Sequence, residues 1–266
     1  MRLTVVGCGT VVPESDRACS SYFVECGDTR ALLDCGSGAV QAMARLDIPW
    51  ERLSHLFLTH FHADHIGALP GLLFAFRHGI HPARSSAPLE VWGPVGTRAL
   101  FRGLASALGD FVLDPGFPMS IREMIPGAEV VTGDLRVTCR EVPHTPESVA
   151  LRLESDSGRK ALVYTGDTGP DETLADFCQN ADLLLGECSL PDHLVGDNHL
   201  SPSRLARLAR RAGARRLVAT HIYPQFRHSA DVSALISAAD YLGPIELARE
   251  GLTVDLQPAC PPHTSN

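Results

Sequence analysis

An α/β fold built from two β-rich halves is what this sequence predicts, and three observations carry the prediction. Strand-like apolar runs alternate with helix-periodic segments along nearly the whole chain, and the second half repeats the texture of the first. The 266 residues, 44% of them hydrophobic, suffice for a large buried core. The expected arrangement is two sheets packed face to face and covered by helices. It forms a single domain over 1–266, with halves of roughly 1–133 and 134–258 and a polar tail, 259–266.

The chain opens with three strands, RLTVVG, SSYFVEC and RALLDCG, separated by a Pro/Ser/Asp loop and a Gly-Asp turn. A helix is expected over 37–46, then strand HLFLT, then a second helix over 67–77. Pro70 falls in that helix's first turn, where a missing N–H costs little. LEVWG reads as a strand, and GTRALFRGLASALG as a helix stopped by Gly109. In the second half, LRVTCREV, VALRLES and KALVYTG are strands, followed by a helix near 171–179 and strand ADLLLGE. Ser201-Pro202, an N-cap followed by proline at the first helical position, opens the next helix. After Gly213 come strand RRLVATH, an amphipathic helix near 230–242, and closing strands IELA and LTVDL.

Composition narrows the function classes. The chain has no apolar run of about 18 residues and no basic segment leading into an apolar one, so neither a membrane span nor a secretory signal is expected and the location is read as cytoplasmic. Eight cysteines, Cys8, Cys19, Cys26, Cys35, Cys139, Cys178, Cys188 and Cys260, are scattered without CxxC pairs and read as reduced thiols. A net charge of −8 provides no overall basic footprint for nucleic acid, although RLARLARRAGARR is a local arginine cluster.

The chemistry collects where strands end. RALLD stops at Asp34, HLFLTH at His60, CREVPH at His144, LVYTGD at Asp167 and LVATH at His221. In a packed sheet such ends share one edge, so residues distant in sequence converge there. Within HFHADH, His60 and His62 point the same way in extended chain and can grip one ion. Asp64 and His65, at the turn into a helix, can address a second ion. Imidazole and carboxylate without thiolate suit zinc, with manganese or iron as other occupants.

HFHADH matches the HxHxDH signature of the metallo-β-lactamase superfamily, and the order Asp34, His60, His62, Asp64, His65, His144, Asp167, His221 resembles that superfamily's five motifs. The resemblance implies a four-layer αββα sandwich with two divalent metal ions. It implies one ion on His60, His62 and His144, the other on Asp64, His65 and His221, with Asp167 bridging and Asp34 orienting the cluster from behind. The chain is most similar to the ribonuclease Z branch and its phosphodiesterase relatives, through GALPGLLFAFR, VWGPVG, and GEC ahead of NHLSPSRLARLARRAGARRLVATHI. That likeness makes His199 of HLS a proton donor or oxyanion stabiliser and Glu187 its acidic partner. Asp64 would help orient the attacking water. Arg227 and His228 either reach a phosphate or belong to a surface loop.

One departure stands out. The tRNA-processing members carry a long arm between the motif histidine and the bridging aspartate, whereas only two strands and the turn SDSGRK join His144 to Asp167 here. Precursor tRNA is therefore not the expected substrate. The resulting expectation is a dinuclear metal-dependent hydrolase, a phosphodiesterase acting on small or nucleotide phosphodiesters. Lactone or carboxyl-ester hydrolysis and a non-catalytic metal-binding module remain as alternatives. No membrane partner is expected, a homodimer is compatible with the sequence, and the natural substrate, native metal and oligomeric state are not fixed by it.

Overall fold

The computed structural model describes residues 1–79, 88–155 and 160–256. The polar tail with Cys260, and residues 156–159 of the SDSGRK turn, lie outside them. The first sheet contains β1 (Arg2–Gly7), β2 (Ser21–Cys26), β3 (Thr29–Leu33), β4 (His55–Phe57), β5 (Leu89–Gly93) and β6 (Met119–Glu123). The second contains β7 (Glu129–Thr132), β8 (Leu135–Glu141), β9 (Val149–Ser155), β10 (Ala161–Tyr164), β11 (Leu183–Glu187), β12 (Leu217–Thr220) and β13 (Ile245–Leu247). The last strand, β14 (Thr253–Asp255), returns to pair with β1. The orders are β14-β1-β2-β3-β4-β5-β6 and β13-β12-β11-β10-β9-β8-β7. Each sheet is antiparallel on one side and parallel on the other, so the two halves are built alike.

The helices are α1 (Ala39–Arg45), α2 (Ala63–Ile66), α3 (Leu69–His78), α4 (Thr97–Leu108), α5 (Leu174–Phe177), α6 (Pro202–Ala212), α7 (Pro224–Ser229) and α8 (Val232–Ala238). Their placement follows from strands that are apolar on both faces and so must be covered on both. In β3, Ala31 and Leu33 enter the layer between the sheets while Leu32 faces the first helix layer. In β10 and β11, Leu162, Tyr164, Leu183 and Leu185 enter the middle layer while Val163 and Leu184 face the second helix layer. Three apolar layers result, and the four-layer αββα architecture expected from the sequence is the one observed. Tyr22 and Tyr164 lock the middle layer edge to face, with centroids 4.9 Å apart. Such a pair adds about 0.5–1.5 kcal/mol beyond its burial.

Several local expectations shift. The edge strands β6 and β7 are half-buried and polar, which leaves little hydrophobic signal to read. The division at 133/134 moves accordingly. β7 and β8 form a hairpin through Gly133 and Asp134, Gly133 having φ +56°, so β7 belongs to the second sheet and β14 to the first. The helix expected over 171–179 is a single turn, α5, because Asp171 accepts from Thr173 N and Oγ1 and holds the chain in a turn. The helix expected over 230–242 shortens to α8, opened by Asp231, which caps Ala234 N, and a separate helix the sequence reading did not expect, α7, precedes it and ends at the extended Ala230. No helix among the described residues is long and apolar enough to cross a membrane.

Candidate metal centre

Parallel pairing of β3 with β4, and of β10, β11 and β12 with one another, brings the carboxyl ends of these strands to one edge of the sandwich. Two of the residues delivered there, Asp34 (φ +55°) and His221 (φ +53°), adopt the left-handed backbone conformation that turns a side chain sharply off its strand. Asp tolerates that region, and His is also enriched in it. The chain packs tightly around them. A Cβ on Gly36 would lie 2.2 Å from the Asp64 carbonyl oxygen, and Gly166, just before Asp167, has φ +56° with Thr59 Cβ only 3.0 Å from where its Cβ would be. Beyond β4, His60 and the extended His62 lead into the single turn α2, which carries Asp64 and His65.

Asp34 is fully buried and accepts four hydrogen bonds: from Thr59 N (2.8 Å), Thr59 Oγ1 (2.8 Å), His65 Nδ1 (2.7 Å) and Tyr164 Oη (2.9 Å). With the Thr59 hydroxyl proton committed to Asp34, its oxygen receives His60 Nδ1 at 3.1 Å. His144 Nδ1 donates to the Asn198 carbonyl at 2.9 Å. For His60, His65 and His144, one ring nitrogen is thus tied back into the fold and Nε2 turns inward. His144 Nε2 approaches His62 Nδ1 to 3.0 Å, and His65 Nε2 and His221 Nε2 each lie 3.4 Å from an Asp167 oxygen. His221 Nε2 is also 3.2 Å from Asp64 Oδ2.

The converging atoms are left unsatisfied by protein. His60 Nε2, His65 Nε2 and Asp167 Oδ1 are buried without a hydrogen-bond partner, an arrangement that costs about 1–3 kcal/mol per group unless something fills it. Donor atoms of His60, His62 and His144 lie within 4.8 Å of one another, and so do those of Asp64, His65 and His221, and of His60, His65 and Asp167. The third set joins the first two. Electrostatics points the same way. Burial alone would depress His65, yet Asp167 and Asp34 raise it well above its ordinary value, so positive charge is favoured between the two carboxylates. Burial opposes the ionisation of Asp167 as well, and the imidazoles of His221 and His65 overcome it, holding that carboxyl far below the usual range. Burial, reinforced by His65, keeps His60 neutral, and burial also lowers His144, so their inward nitrogens are free lone pairs. Cations among neutral imidazoles and ionised carboxylates would satisfy each orphaned atom. The donor set contains no thiolate.

On one side of this cluster stands a second pair. His199 Nδ1 lies 2.8 Å from Glu187 Oε1, and Glu187, at the end of β11, is fully buried. Burial lowers the His199 pKa, but the hydrogen bond and charge of Glu187 prevail and raise it. The backbone around His199 is held by Arg204 Nη1 donating to the His199 carbonyl (3.2 Å) and Ser189 N to that of Leu200 (3.0 Å). Ser201 caps α6 by accepting from Arg204 N and donates to Asp192 at 2.6 Å. The resulting cleft, about 320 Å³, is lined by His62, Asp64, His144, Asp167, His199 and His221, with Val11, Asn198 and Tyr223 at its walls.

The structure brings together Asp34, His60, His62, Asp64, His65, His144, Asp167, Glu187, His199 and His221. Arg227 is not among the residues lining the cleft; its guanidinium pairs with Glu14, while the exposed His228 stands 3.8 Å from that same carboxylate. Several residues of the site went unnoticed in the sequence, Asn198 and Val11 at the cleft wall among them. Thr59 and Tyr164 hold Asp34, Ser189 bonds Glu187 and His221, and Tyr223 lines the cleft. Ser189, two positions after Glu187, and Thr59, beside His60, had a local signal.

The chain matches the Beta-lactamase superfamily domain over residues 29–222. The relative described as "Uncharacterized protein ML1173" from Mycobacterium leprae is 34% identical over 97% of this chain and 89% of its own length. A Ribonuclease Z of Mycobacterium bovis is 28% identical over 97% of this chain and 99% of the relative. The crystal structure of the metallo-β-lactamase fold protein YhfI from Bacillus subtilis superposes with a TM-score of 0.80 at 26% identity, covering 95% of this chain and 98% of that one.

Proposed function

This chain belongs to the metallo-β-lactamase superfamily and is a metal-dependent hydrolase, and from that premise we propose that it cleaves small or nucleotide phosphodiesters. The observation that carries the proposal is the Glu187–His199 pair set against the His/Asp cluster. A charged imidazole in that place serves a leaving oxygen or a phosphoryl oxygen. The 28% identity to a Ribonuclease Z over 97% of the chain supports the same class of bond.

In this reading His60, His62 and His144 would hold one cation and Asp64, His65 and His221 a second, with Asp167, which groups with His60 and His65, available to both. Zinc suits the imidazole and carboxylate donors best, with manganese or iron as other occupants. Bound there, two divalent ions supply hydroxide near neutral pH and offset charge growing on phosphoryl oxygens. Asp64, at the cleft wall, accepts a hydrogen bond from the attacking water and orients it. Glu187 raises the His199 pKa against the opposing effect of burial and so favours the imidazolium, whose Nε2 is the end left free to reach the substrate. After transfer, Glu187 retains the Nδ1 proton and keeps the ring in place.

The short path from β9 to β10 between His144 and Asp167 argues against precursor tRNA as the main substrate, and the reduced state of the described cysteines suits a cytoplasmic location. Turnover of bis(p-nitrophenyl) phosphate and of a dinucleotide, compared with a panel of lactones, tests the reading. Phosphodiester turnover with weak lactone hydrolysis is expected. The reverse preference would overturn it, and efficient 3′ processing of precursor tRNA would overturn the substrate range.

A further inference from the structure

Ser189 lies beneath two histidines at once. Its Oγ donates to Glu187 Oε2 at 2.7 Å, and the same oxygen is 3.0 Å from His221 Nδ1 and 3.2 Å from His199 Nδ1. A hydroxyl has a single proton. Since an ionised carboxylate only accepts, that proton belongs to Glu187, and the Ser189 oxygen can meet His221 only as an acceptor. His221 must then carry a proton on Nδ1, the arrangement in which a neutral ring turns the lone pair of Nε2 towards Asp64 and Asp167.

This outcome is not the one His221 would choose alone. Its Nε2 faces two carboxylates, Asp64 Oδ2 at 3.2 Å and Asp167 Oδ2 at 3.4 Å, which invite a proton onto Nε2. A proton there would block the lone pair that a cation needs. The counterweight is the buried Glu187, which receives Thr168 N (2.9 Å), Ser189 N (3.2 Å), the Ser189 hydroxyl and His199 Nδ1. Across the centre, Asp34 does the same directly for His65. On the His221 side the carboxylate acts through one intervening hydroxyl.

We propose that Ser189 is a positioning residue through which one buried carboxylate serves both arms of the site: Glu187 holds the proton donor His199 and, by way of Ser189 Oγ, fixes the tautomer of the cation ligand His221. The inference rests on the reading of His221 as a ligand. It also sets Glu187 apart from a partner of His199 alone, since a change at Glu187 must then reach cation binding as well.

The test uses zinc itself and the full-length protein. Zinc affinity is measured by chelator competition for wild type, Ser189→Ala, Ser189→Thr and Glu187→Gln, and the His221 tautomer is read from ¹⁵N chemical shifts of the zinc-free protein. Loss of an outer hydrogen-bond partner to a ligand histidine lowers metal affinity by about 10–100-fold. Ser189→Ala and Glu187→Gln are expected to show that loss for one of the bound ions, with His221 moving towards the Nε2–H form. Ser189→Thr, which keeps the oxygen, should recover most of it. The melting temperature of each zinc-free variant reports folding separately. Wild-type zinc affinity in a folded Ser189→Ala protein, with His221 still protonated on Nδ1, would overturn the proposal. Failure of the wild type to take up zinc would instead overturn the ligand reading and the proposal with it.

Discussion

His65 Nδ1 donates to Asp34 Oδ2 at 2.7 Å with both side chains shut away from solvent, so the orientation of a cluster imidazole is set by a carboxylate that never reaches the cleft. The same Asp34 takes the amide and hydroxyl of Thr59, which in turn receives His60, and the hydroxyl of Tyr164 from the opposite sheet. A single carboxylate thereby positions residues from β10 and from both ends of the HFHADH turn.

Asp34→Asn places an amide among four donors, at least one of which its NH₂ must face, and removes the charge that favours the Nδ1–H form of His65. Metal affinity should fall by about 10–100-fold. Chelator competition measures it. Stability should fall too, because buried donors are stranded at about 1–3 kcal/mol each, and denaturant unfolding of the metal-free protein reads that separately. Unchanged values for both would mean that Asp34 merely fills space.

Asp167 has a different place, between the two donor triads. Wild type purified without chelator is expected to contain close to two equivalents of zinc, manganese or iron per chain, the stoichiometry of a bridged pair. Asp167→Ala should lose most of that metal, because it removes the carboxylate shared by His65 and His221. Elemental analysis decides the matter. A wild type that neither contains nor takes up metal would remove the basis of the mechanism.

How much of this was readable beforehand depends on where the signal resides. The candidate site residues were legible because they gather where strand-like runs end, and because HFHADH compresses four of them into one turn. The sandwich was legible from two β-rich halves with helices between their strands, and its four layers from the resemblance that HFHADH carries. Tyr164 was not, since its hydroxyl acts on a residue 130 positions away and only the stacking of two sheets brings them together. Ser189 had its closeness to Glu187 as a signal, but its role was hidden, because its three hydrogen-bond partners arrive from β11, from the loop ahead of α6 and from the end of β12. Edge strands such as β6 and β7 carry too little buried apolar surface to mark themselves.

A pH-dependent contribution to stability is expected far from the cluster. His55 is buried at the start of β4, bonded to Ser54 Oγ (2.8 Å) and Thr132 Oγ1 (2.9 Å), and burial lowers its pKa despite the opposing charges of Glu90 and Asp134. A histidine depressed in the folded state stabilises the fold above its unfolded pKa of about 6.5, and that contribution is lost as pH falls towards the folded value. His60 and His144 act in the same direction, so the informative quantity is the difference between wild type and His55→Gln. Between about pH 6.5 and 5 the wild type should lose stability more steeply than the variant in urea unfolding. Parallel curves would show that the two hydrogen bonds do not distinguish the protonation states.

The proposed proton donor offers the sharpest separation between phosphodiester and lactone chemistry. Glu187 raises the His199 pKa and so favours its charged form, and in the proposed reaction the place of His199 at the cleft wall puts it against whichever oxygen leaves or gains charge. His199→Ala should therefore reduce turnover of an unactivated dinucleotide by about 10²–10⁴, the usual scale of general acid–base catalysis. The loss should be much smaller for bis(p-nitrophenyl) phosphate, because nitrophenolate departs without protonation. Any fall common to both substrates reports phosphoryl-oxygen stabilisation instead, and the ratio of the two losses divides one role from the other. Both rates must be compared at equal metal occupancy, since His199 neighbours His144 and His221 with ring centroids 4.9 and 5.8 Å away. Undiminished dinucleotide turnover under those conditions would remove His199 from the reaction and leave carboxyl-ester or lactone hydrolysis as the better account of the cleft.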